Sequence, residues 1–313
     1  MLNNLIVAIE AIIPLFGLMA VGVVIKKMKL LTELELVHLN KMVFTIFFFI
    51  MMFYNIYTTN IGTLFRPRLM MFAMCALAIV YILTFAFVTF FEKDNRRRGA
   101  MIQAIYRSNF VLMGVPLAAN IYGDSNIAVV TMMIALIVPA YNVLGVFTLE
   151  TFRGGSFNLW HILKGVFKNP MIVGAIWGAI FVIVGIKIPR PILRPLAQIT
   201  AATTPMALIV LGASFKMNTV TKNLRHLVIC VFSRLIVIPG IVLFIAMQMG
   251  FRDVEFITLI SIFATPCAVA GYAMAQQMDS DADLAGNCVV FTSALSAFTL
   301  FGWIFLYKTL GMF

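Results

Sequence analysis

SNFVLMGVPLAANIYGDSN, residues 108–126, ends an apolar run with an asparagine, a glycine and a proline where a membrane helix is expected to be continuous. Proline has no N–H for the helical ladder and its ring clashes with the preceding turn, so Pro116 predicts a local break. Unpaired backbone at membrane depth is tolerated only where it is buried in protein or lines a wet cavity. The stretch is therefore either a packing kink or part of a binding site.

Composition identifies the environment of this stretch. Of 313 residues, 62% are hydrophobic and 11% are charged, and the mean hydropathy is +1.03. Soluble domains are only about half apolar, so we expect an all-α integral membrane protein. The four cysteines stand singly within apolar runs, which argues against disulfides and against a thiolate metal site. We read the net charge of +11 as a topology signal and expect no nucleic-acid partner.

Ten apolar runs have about the length of a transmembrane helix. Lysine and arginine are concentrated in the loops that are cytoplasmic if the N-terminus is outside. We therefore expect a multi-pass protein of the plasma membrane with both termini extracytoplasmic. The runs are 5–25, 36–57, 69–91, 99–122, 127–149, 170–186, 195–215, 227–249, 255–278 and 286–307.

The two halves of the chain share one plan. RGAMIQAIYRSNFVLMGVPLAANIYGDSN, residues 98–126, is echoed by VEFITLISIFATPCAVAGYAMAQQMDSDAD, residues 254–283. Each is an apolar helix interrupted by proline and glycine and followed by a short acidic loop. Since five runs per half is an odd number, residues 1–150 and 151–313 are predicted to be inverted five-helix repeats. Helices 4 and 9 are then both broken, and they are expected to cross at a binding site.

Matching breaks in the two halves favour a binding site over a packing kink. We expect Pro116 and Pro266 each to begin a second half-helix, where a proline is well accommodated. Free N–H groups and a partial positive charge would then point at each break. This arrangement predicts an anionic ligand.

Several motifs together resemble the auxin efflux carrier family. They are IYRSNFVLMGVPLA at 105–118, YGDSN at 122–126, VPAYNVLGV at 138–146, KNPMIVGAIWG at 168–178 and TPMALIVLGASF at 204–215. The family includes bacterial permeases proposed to move malate or malonate and plant carriers that export auxin. The resemblance implies a crossed-helix fold, a transport domain that moves against a scaffold in an elevator-like manner, organic anions as substrates, and a homodimer. It also implies that Asn109 and Pro116 contact the substrate.

Two arginines lie inside apolar runs. Arg107 and Arg234 are costly in hydrocarbon, so both are expected to face protein or water. For each, two roles stay open: recognition of a substrate carboxylate, or pairing with carbonyls freed by a break. Glu10 is either a protonatable group or an ion-pair partner of Lys41, Arg107 or Arg234.

Neutral polar side chains near the breaks complete the predicted site. We expect Asn109 and Thr265 to face each other across the crossing and bind the ligand; the alternative is that they satisfy freed backbone groups. The full set of predicted substrate-binding residues is Arg107, Asn109, Gly114, Pro116, Asn142, Thr265, Pro266 and Gly271.

Motifs of enzymes and of ATP-driven pumps were not found in the sequence. HExxH, GxSxG and Walker segments do not occur, so catalysis, a metal centre and a cofactor are not expected. Secondary transport of a small organic anion across the lipid bilayer is the expected function. It would be driven by a proton gradient, a sodium gradient or the anion's own gradient. The alternative is a membrane sensor that binds a ligand without net transport.

Overall fold

The structure, a computed structural model, describes residues 2–58, 66–122, 127–153 and 159–313, and the named elements of this part are all helical. This agrees with an all-α membrane protein. The α-helices are α1 Leu2–Lys27, α2 Glu33–Met42, α3 Phe48–Thr58, α4 Pro67–Phe91, α5 Asn95–Tyr106, α6 Val115–Tyr122, α7 Ile127–Phe152, α8 Leu159–Lys168, α9 Pro170–Val184, α10 Arg190–Ser214, α11 Met217–Lys222, α12 Leu224–Phe232, α13 Ile238–Gln248, α14 Asp253–Phe263, α15 Ala270–Gln277 and α16 Ala282–Thr309.

Six segments of the described chain are long and apolar enough to cross a bilayer as single helices. Two of them join neighbouring helices through π segments, Val43–Phe47 between α2 and α3 and Ser233–Val237 between α12 and α13. The count of ten crossings stays a prediction. The six segments are Glu33–Thr58, Pro67–Phe91, Val129–Phe152, Arg190–Ser214, Leu224–Gln248 and Ala282–Thr309.

Glycines allow two pairs of helices to approach backbone to backbone. A Cβ on Gly22 of α1 would overlap the Ile209 carbonyl of α10, and one on Gly212 of α10 would overlap the Met19 carbonyl of α1. Gly174 of α9 packs in the same way against α3. Such contacts are typical of small residues at membrane helix interfaces. They leave no room for a side chain, so these pairs are rigidly spaced.

The two broken helices meet at their breaks. The first break, residues 107–109, separates α5 from a π segment, Phe110–Gly114, that leads into α6. The second, residues 264–269, separates α14 from α15. Ser108 and Cys267 form an antiparallel bridge, and the Asn109 N–H donates to the Pro266 carbonyl at 2.7 Å. Backbone freed by each break is thus partly satisfied by the other break.

The prediction that Pro116 causes the first break is wrong. Pro116 is the second residue of α6, after the π segment, and the chain is non-helical seven to nine residues earlier. Phe110–Ile121 forms one helix in which Pro116 comes just after the π segment, so the proline alters the helical hydrogen bonding there without separating two helices. Pro266 does lie within its break, but α15 begins at Ala270, so Pro266 does not start the second half-helix.

Candidate functional site

The predicted site residues surround the crossing of the two breaks, and nearly all of them are buried. Arg107 is 4% exposed and Asn109 is 7% exposed, and both belong to the first break. The second break contributes two members, and Gly271 lies at the start of α15. Pro116 is the exception, since it is exposed in α6. The buried members are Arg107, Asn109, Gly114, Asn142, Thr265, Pro266 and Gly271.

Arg107 contacts neutral side chains. Its Nη2 donates to Asn142 Oδ1 at 2.5 Å, and its Nη1 lies 3.3 Å from Gln103 Oε1 and 2.8 Å from Met274 Sδ. Arginine is always charged in proteins, and a thioether is a weak acceptor. The ion pairs found among the described residues do not include Arg107. This buried cation therefore lacks a carboxylate counter-charge in the described part of the chain.

Arg234, from the π segment before α13, contacts backbone carbonyls instead. Its guanidinium is fully buried and lies between the C-terminal ends of α5 and α14. Carbonyls at a helix end have no partner within the helix and carry the negative end of the dipole. The acceptors are Thr265 O at 2.8 Å, Ile262 O at 3.1 Å, Tyr106 O at 3.2 Å and Ile105 O at 3.4 Å. Arg234 thus links both broken helices, which is the backbone-pairing role left open in the sequence.

Asn109 has an amide group that nothing in the described structure pairs. Its backbone N–H is used at the crossing, but its side-chain Nδ2 is buried without a hydrogen-bond partner. A buried donor left without a partner costs about 1–3 kcal/mol. Such a group is expected to have an acceptor in the working protein, either water or a ligand.

Thr265 already has a partner within its own helix region. Its Oγ1 donates to the Ser261 carbonyl at 2.8 Å, which is the alternative to ligand binding that the sequence left open. Ser108 belongs to the first break, and its hydroxyl lies 2.9 Å from the hydroxyl of Tyr141. The hydroxyl groups of both breaks are therefore committed to protein contacts.

Two residues of the Arg107 cluster were missed in the sequence. Gln103 accepts from Arg107, and its Nε2 is a second buried donor without a partner in the described chain. Its position four residues before Arg107 on a helix could have indicated the contact. Met274 comes from α15, and its pairing across 167 residues has no local signal.

The two predicted site glycines occupy different surroundings. A Cβ on Gly114 would lie 2.7 Å from Ser261 Cβ and 2.8 Å from the Phe110 ring. A Cβ on Gly271 would meet only Gln103 Oε1, at 3.9 Å. Gly114 is therefore required by close packing, whereas Gly271 leaves space beside Gln103.

A cavity of about 220 Å³ lies next to the second half of the first broken helix. It separates α6 and the π segment before it from α1 and α10. Asn120 and Thr204 supply its polar side chains, and Pro116 is part of its wall. This cavity reaches α6 but not Arg107 or Asn109, which are closed off from solvent. The complete lining is Pro14, Leu15, Leu18, Leu112, Pro116, Asn120, Thr204, Pro205 and Leu208.

Acidic groups are not found around the crossing in the part that the structure describes. The side chain of Glu10, in α1, lies outside the described residues, so its predicted ion pairs are untested. In the same part, no group of three His, Cys, Asp or Glu side chains is placed to hold a metal ion. The crossing therefore combines two buried cations with donors that have no partner.

Comparison with known proteins identifies one matching family and two similar proteins. A family described as "Membrane transport protein" matches residues 7–158 and 156–304. An uncharacterized transporter of Methanocaldococcus jannaschii is 24% identical over 224 residues, covering 69% of this chain and 71% of that protein. An uncharacterized transporter of Methanothermobacter thermautotrophicus is 20% identical over 297 residues, covering 94% and 96%. These names indicate a transporter.

Proposed function

The chain belongs to the auxin efflux carrier family, and from that premise we propose that it is a secondary carrier of small organic anions such as malate or malonate. The substrate site is the crossing of the two broken helices. The anion is carried without catalysis, and its gradient or a coupled proton or sodium gradient supplies the driving force.

The observation that carries this proposal is the unmatched charge of Arg107. Removing a cation from water costs several kcal/mol unless an anion or a full set of hydrogen bonds compensates. Among the described residues, the partners of the Arg107 guanidinium are two amide oxygens and a thioether. A guanidinium binds a carboxylate through two parallel hydrogen bonds, so a substrate carboxylate would supply the missing counter-charge.

Asn109 and Gln103 complete the proposed binding chemistry. Each has a buried NH₂ group without a partner in the described structure, and each lies within four residues of Arg107. Carboxylate oxygens accept such donors. Arg234 is not offered as a substrate ligand, since its donors are engaged by four carbonyls. Instead it neutralises the negative ends of α5 and α14, which leaves the crossing favourable for an anion.

The larger architecture of the carrier is also part of the proposal. We assign ten transmembrane helices in two inverted repeats, residues 1–150 and 151–313, with both termini outside the plasma membrane. The close helix pairs α1–α10 and α9–α3 support this. In the predicted numbering α1 and α3 belong to spans one and two, and α9 and α10 to spans six and seven. The pair α1–α10 therefore joins spans one and seven, and the pair α9–α3 joins spans six and two, which are their equivalents in the other repeat. The glycine-spaced pairs would form the scaffold of a homodimer. The broken helices would move against it, through the region of the 220 Å³ cavity.

Uptake by purified protein in liposomes tests the function. Labelled malate, malonate and a monocarboxylate are supplied under imposed pH, sodium or voltage gradients. Saturable uptake of a dicarboxylate that exceeds that of protein-free liposomes is expected, and the gradient that accelerates it identifies the driving force. Saturable binding without uptake under any gradient would contradict transport and favour a sensor. Neither binding nor uptake of any carboxylate would contradict the anion site itself.

A further inference from the structure

Helix α8 does not continue the apolar helix that follows it. The chain bends by 63° between Ile162–Lys168 and Pro170–Val184. Helix α9 is apolar and suited to crossing the bilayer. Because α8 is bent away from the axis of α9 at its N-terminal end, we place α8 near the membrane surface.

One face of α8 exposes large apolar side chains. Trp160 is 76% exposed and Phe167 is 62% exposed, and Leu163 lies between them at helical spacing. Ile162 and Val166, on the other face, are buried against the bundle. Tryptophan is enriched where membrane meets water. The exposed stripe is therefore suited to lipid acyl chains and the headgroup boundary.

A polar pocket of about 430 Å³ lies beside α8. It is formed by α8 together with the ends of α7 and α15, and by Phe44. Three of its side chains are cationic and one is acidic, so it carries an excess of positive charge. Its lining residues are Phe44, Glu150, Arg153, Lys164, Gly165, Lys168, Asn169, Pro170, Gln277 and Met278.

The donors of this pocket differ in how far they are engaged. Arg153 pairs with Glu150 at 3.4 Å and with Asp279 at 2.9 Å. Lys164 and Lys168, one helical turn apart, have no ion pair with any described residue. Within the described ranges, the acceptor found for the buried amide Nδ2 of Asn169 is the Met278 sulfur at 3.5 Å. Two cations and one weakly paired amide donor are therefore available to an anion.

We propose that this pocket and the apolar face of α8 together bind one anionic phospholipid. The phosphate lies against Lys164, Lys168 and the Asn169 amide, and the acyl chains run along Trp160, Leu163 and Phe167. A free anion would use the cations but would have no use for the apolar stripe. Lysines close to the membrane surface strengthen binding to anionic lipid. In the predicted topology this loop faces the cytoplasm, where anionic lipid is concentrated.

Thermal unfolding of the purified full chain in detergent tests this site without any transport assay. Phosphatidylglycerol is titrated in parallel with phosphatidylcholine. We expect a saturable rise in Tm with phosphatidylglycerol only. In the variant Lys164→Gln/Lys168→Gln the apparent affinity should fall roughly thirty-fold, about 2 kcal/mol. The control Lys222→Gln/Arg225→Gln, which removes two exposed cations near α11, should keep the wild-type response.

Three outcomes would overturn the lipid assignment. One is equal stabilisation by the two lipids, which would remove the role of the headgroup charge. Another is an equal loss of response in both double variants, which would reduce the effect to overall charge. The third is a Tm rise of the same size with inorganic phosphate or malate alone, abolished by Lys164→Gln/Lys168→Gln, which would make the pocket a site for free anions. A Trp160→Ala variant that retains full lipid affinity would argue against the acyl-chain contact.

Discussion

The two breaks in the broken helices differ in what they offer at the crossing. The first, residues 107–109, consists of an arginine, a serine and an asparagine, and the Asn109 amide has no partner in the described structure. The second, residues 264–269, has no charged side chain, and its polar groups are paired: the Thr265 hydroxyl with Ser261 and the Cys267 N–H with Thr292. The first break thus supplies exchangeable side-chain contacts, and the second supplies a fixed backbone frame.

The two buried arginines follow the same division. Arg234 donates to two backbone carbonyls at the end of α5, to one in α14 and to that of Thr265 in the second break, so it belongs to the frame. Arg107 donates to side chains instead, those of Gln103, Met274 and Asn142. Two buried cations therefore have different expected roles, and substitution at each position can separate stability from binding.

The largest effect is expected for Arg234→Met. Methionine fills similar space but leaves the buried carbonyls at the ends of α5 and α14 and of Thr265 without these donors. We expect the free energy of unfolding to fall by about 3–5 kcal/mol, because several hydrogen bonds from a charged donor, each worth about 1.5–3 kcal/mol, are lost together. Unfolding of the purified protein in detergent measures this. Arg190→Met, at an exposed arginine, should change it by less than about 0.5 kcal/mol. An Arg234→Met protein as stable as the wild type would contradict a stabilising role of these backbone contacts.

Arg107→Gln should affect binding more than stability. Glutamine can keep neutral contacts to Gln103 and Asn142 but cannot supply the charge. Loss of a charge-assisted hydrogen bond of about 1.5–3 kcal/mol corresponds to roughly 10- to 150-fold weaker anion binding. The Kd for the transported anion, measured on purified protein, checks this. An unchanged Kd, with Tm lowered as far as in Arg234→Met, would place Arg107 in the frame as well.

The two site glycines provide a smaller comparison of packing. Gly114→Ala places a methyl group against Ser261 and the Phe110 ring, so overpacking of about 1–3 kcal/mol is expected. Gly271→Ala meets an open space within a helix and should be neutral or stabilising by up to about 1 kcal/mol. Unfolding of the two variants side by side measures the difference. Equal destabilisation would mean that the two sides of the crossing are equally tight.

The smallest effect is expected for Thr265→Val. The change removes one hydroxyl that donates to Ser261 within the same helix region, a loss of about 1 kcal/mol. Uptake kinetics should be unchanged, because the hydroxyl is already engaged. A rise in the KM of the anion without a fall in Tm would instead make Thr265 a ligand, as the sequence hypothesis proposed.

Helix content and membrane character could be predicted from the sequence, because apolar runs of about 20 residues are a strong signal. The position of the first break could not. Pro116 was the visible helix breaker, but it lies within the helix Phe110–Ile121, just after its π segment, and the chain opens at residues 107–109 instead. There the freed backbone finds partners across the crossing, as in the Asn109–Pro266 hydrogen bond.

Long-range pairing accounts for the rest of what was not predicted. Arg234 could be located within an apolar run, but its hydrogen-bond partners could not be predicted. The four carbonyls to which it donates lie 28 to 129 residues away in the sequence. Gln103 carried a usable signal, its spacing of four residues from Arg107 on one helix. Met274 carried none, since its contact depends on how α15 returns to α5.

Asn109→Ala tests the central claim most directly, that the first break holds the anion. Uptake of labelled malate and malonate into liposomes is measured beside Tm in detergent, with Asn218→Ala, at an exposed asparagine, as the matched control. We expect Asn109→Ala to lose uptake of the transported anion while its Tm is unchanged or raised, because the described structure shows no hydrogen-bond partner that the amide nitrogen would lose. Asn218→Ala should transport as the wild type does. Wild-type uptake kinetics in Asn109→Ala would contradict the assignment of the crossing as the anion site.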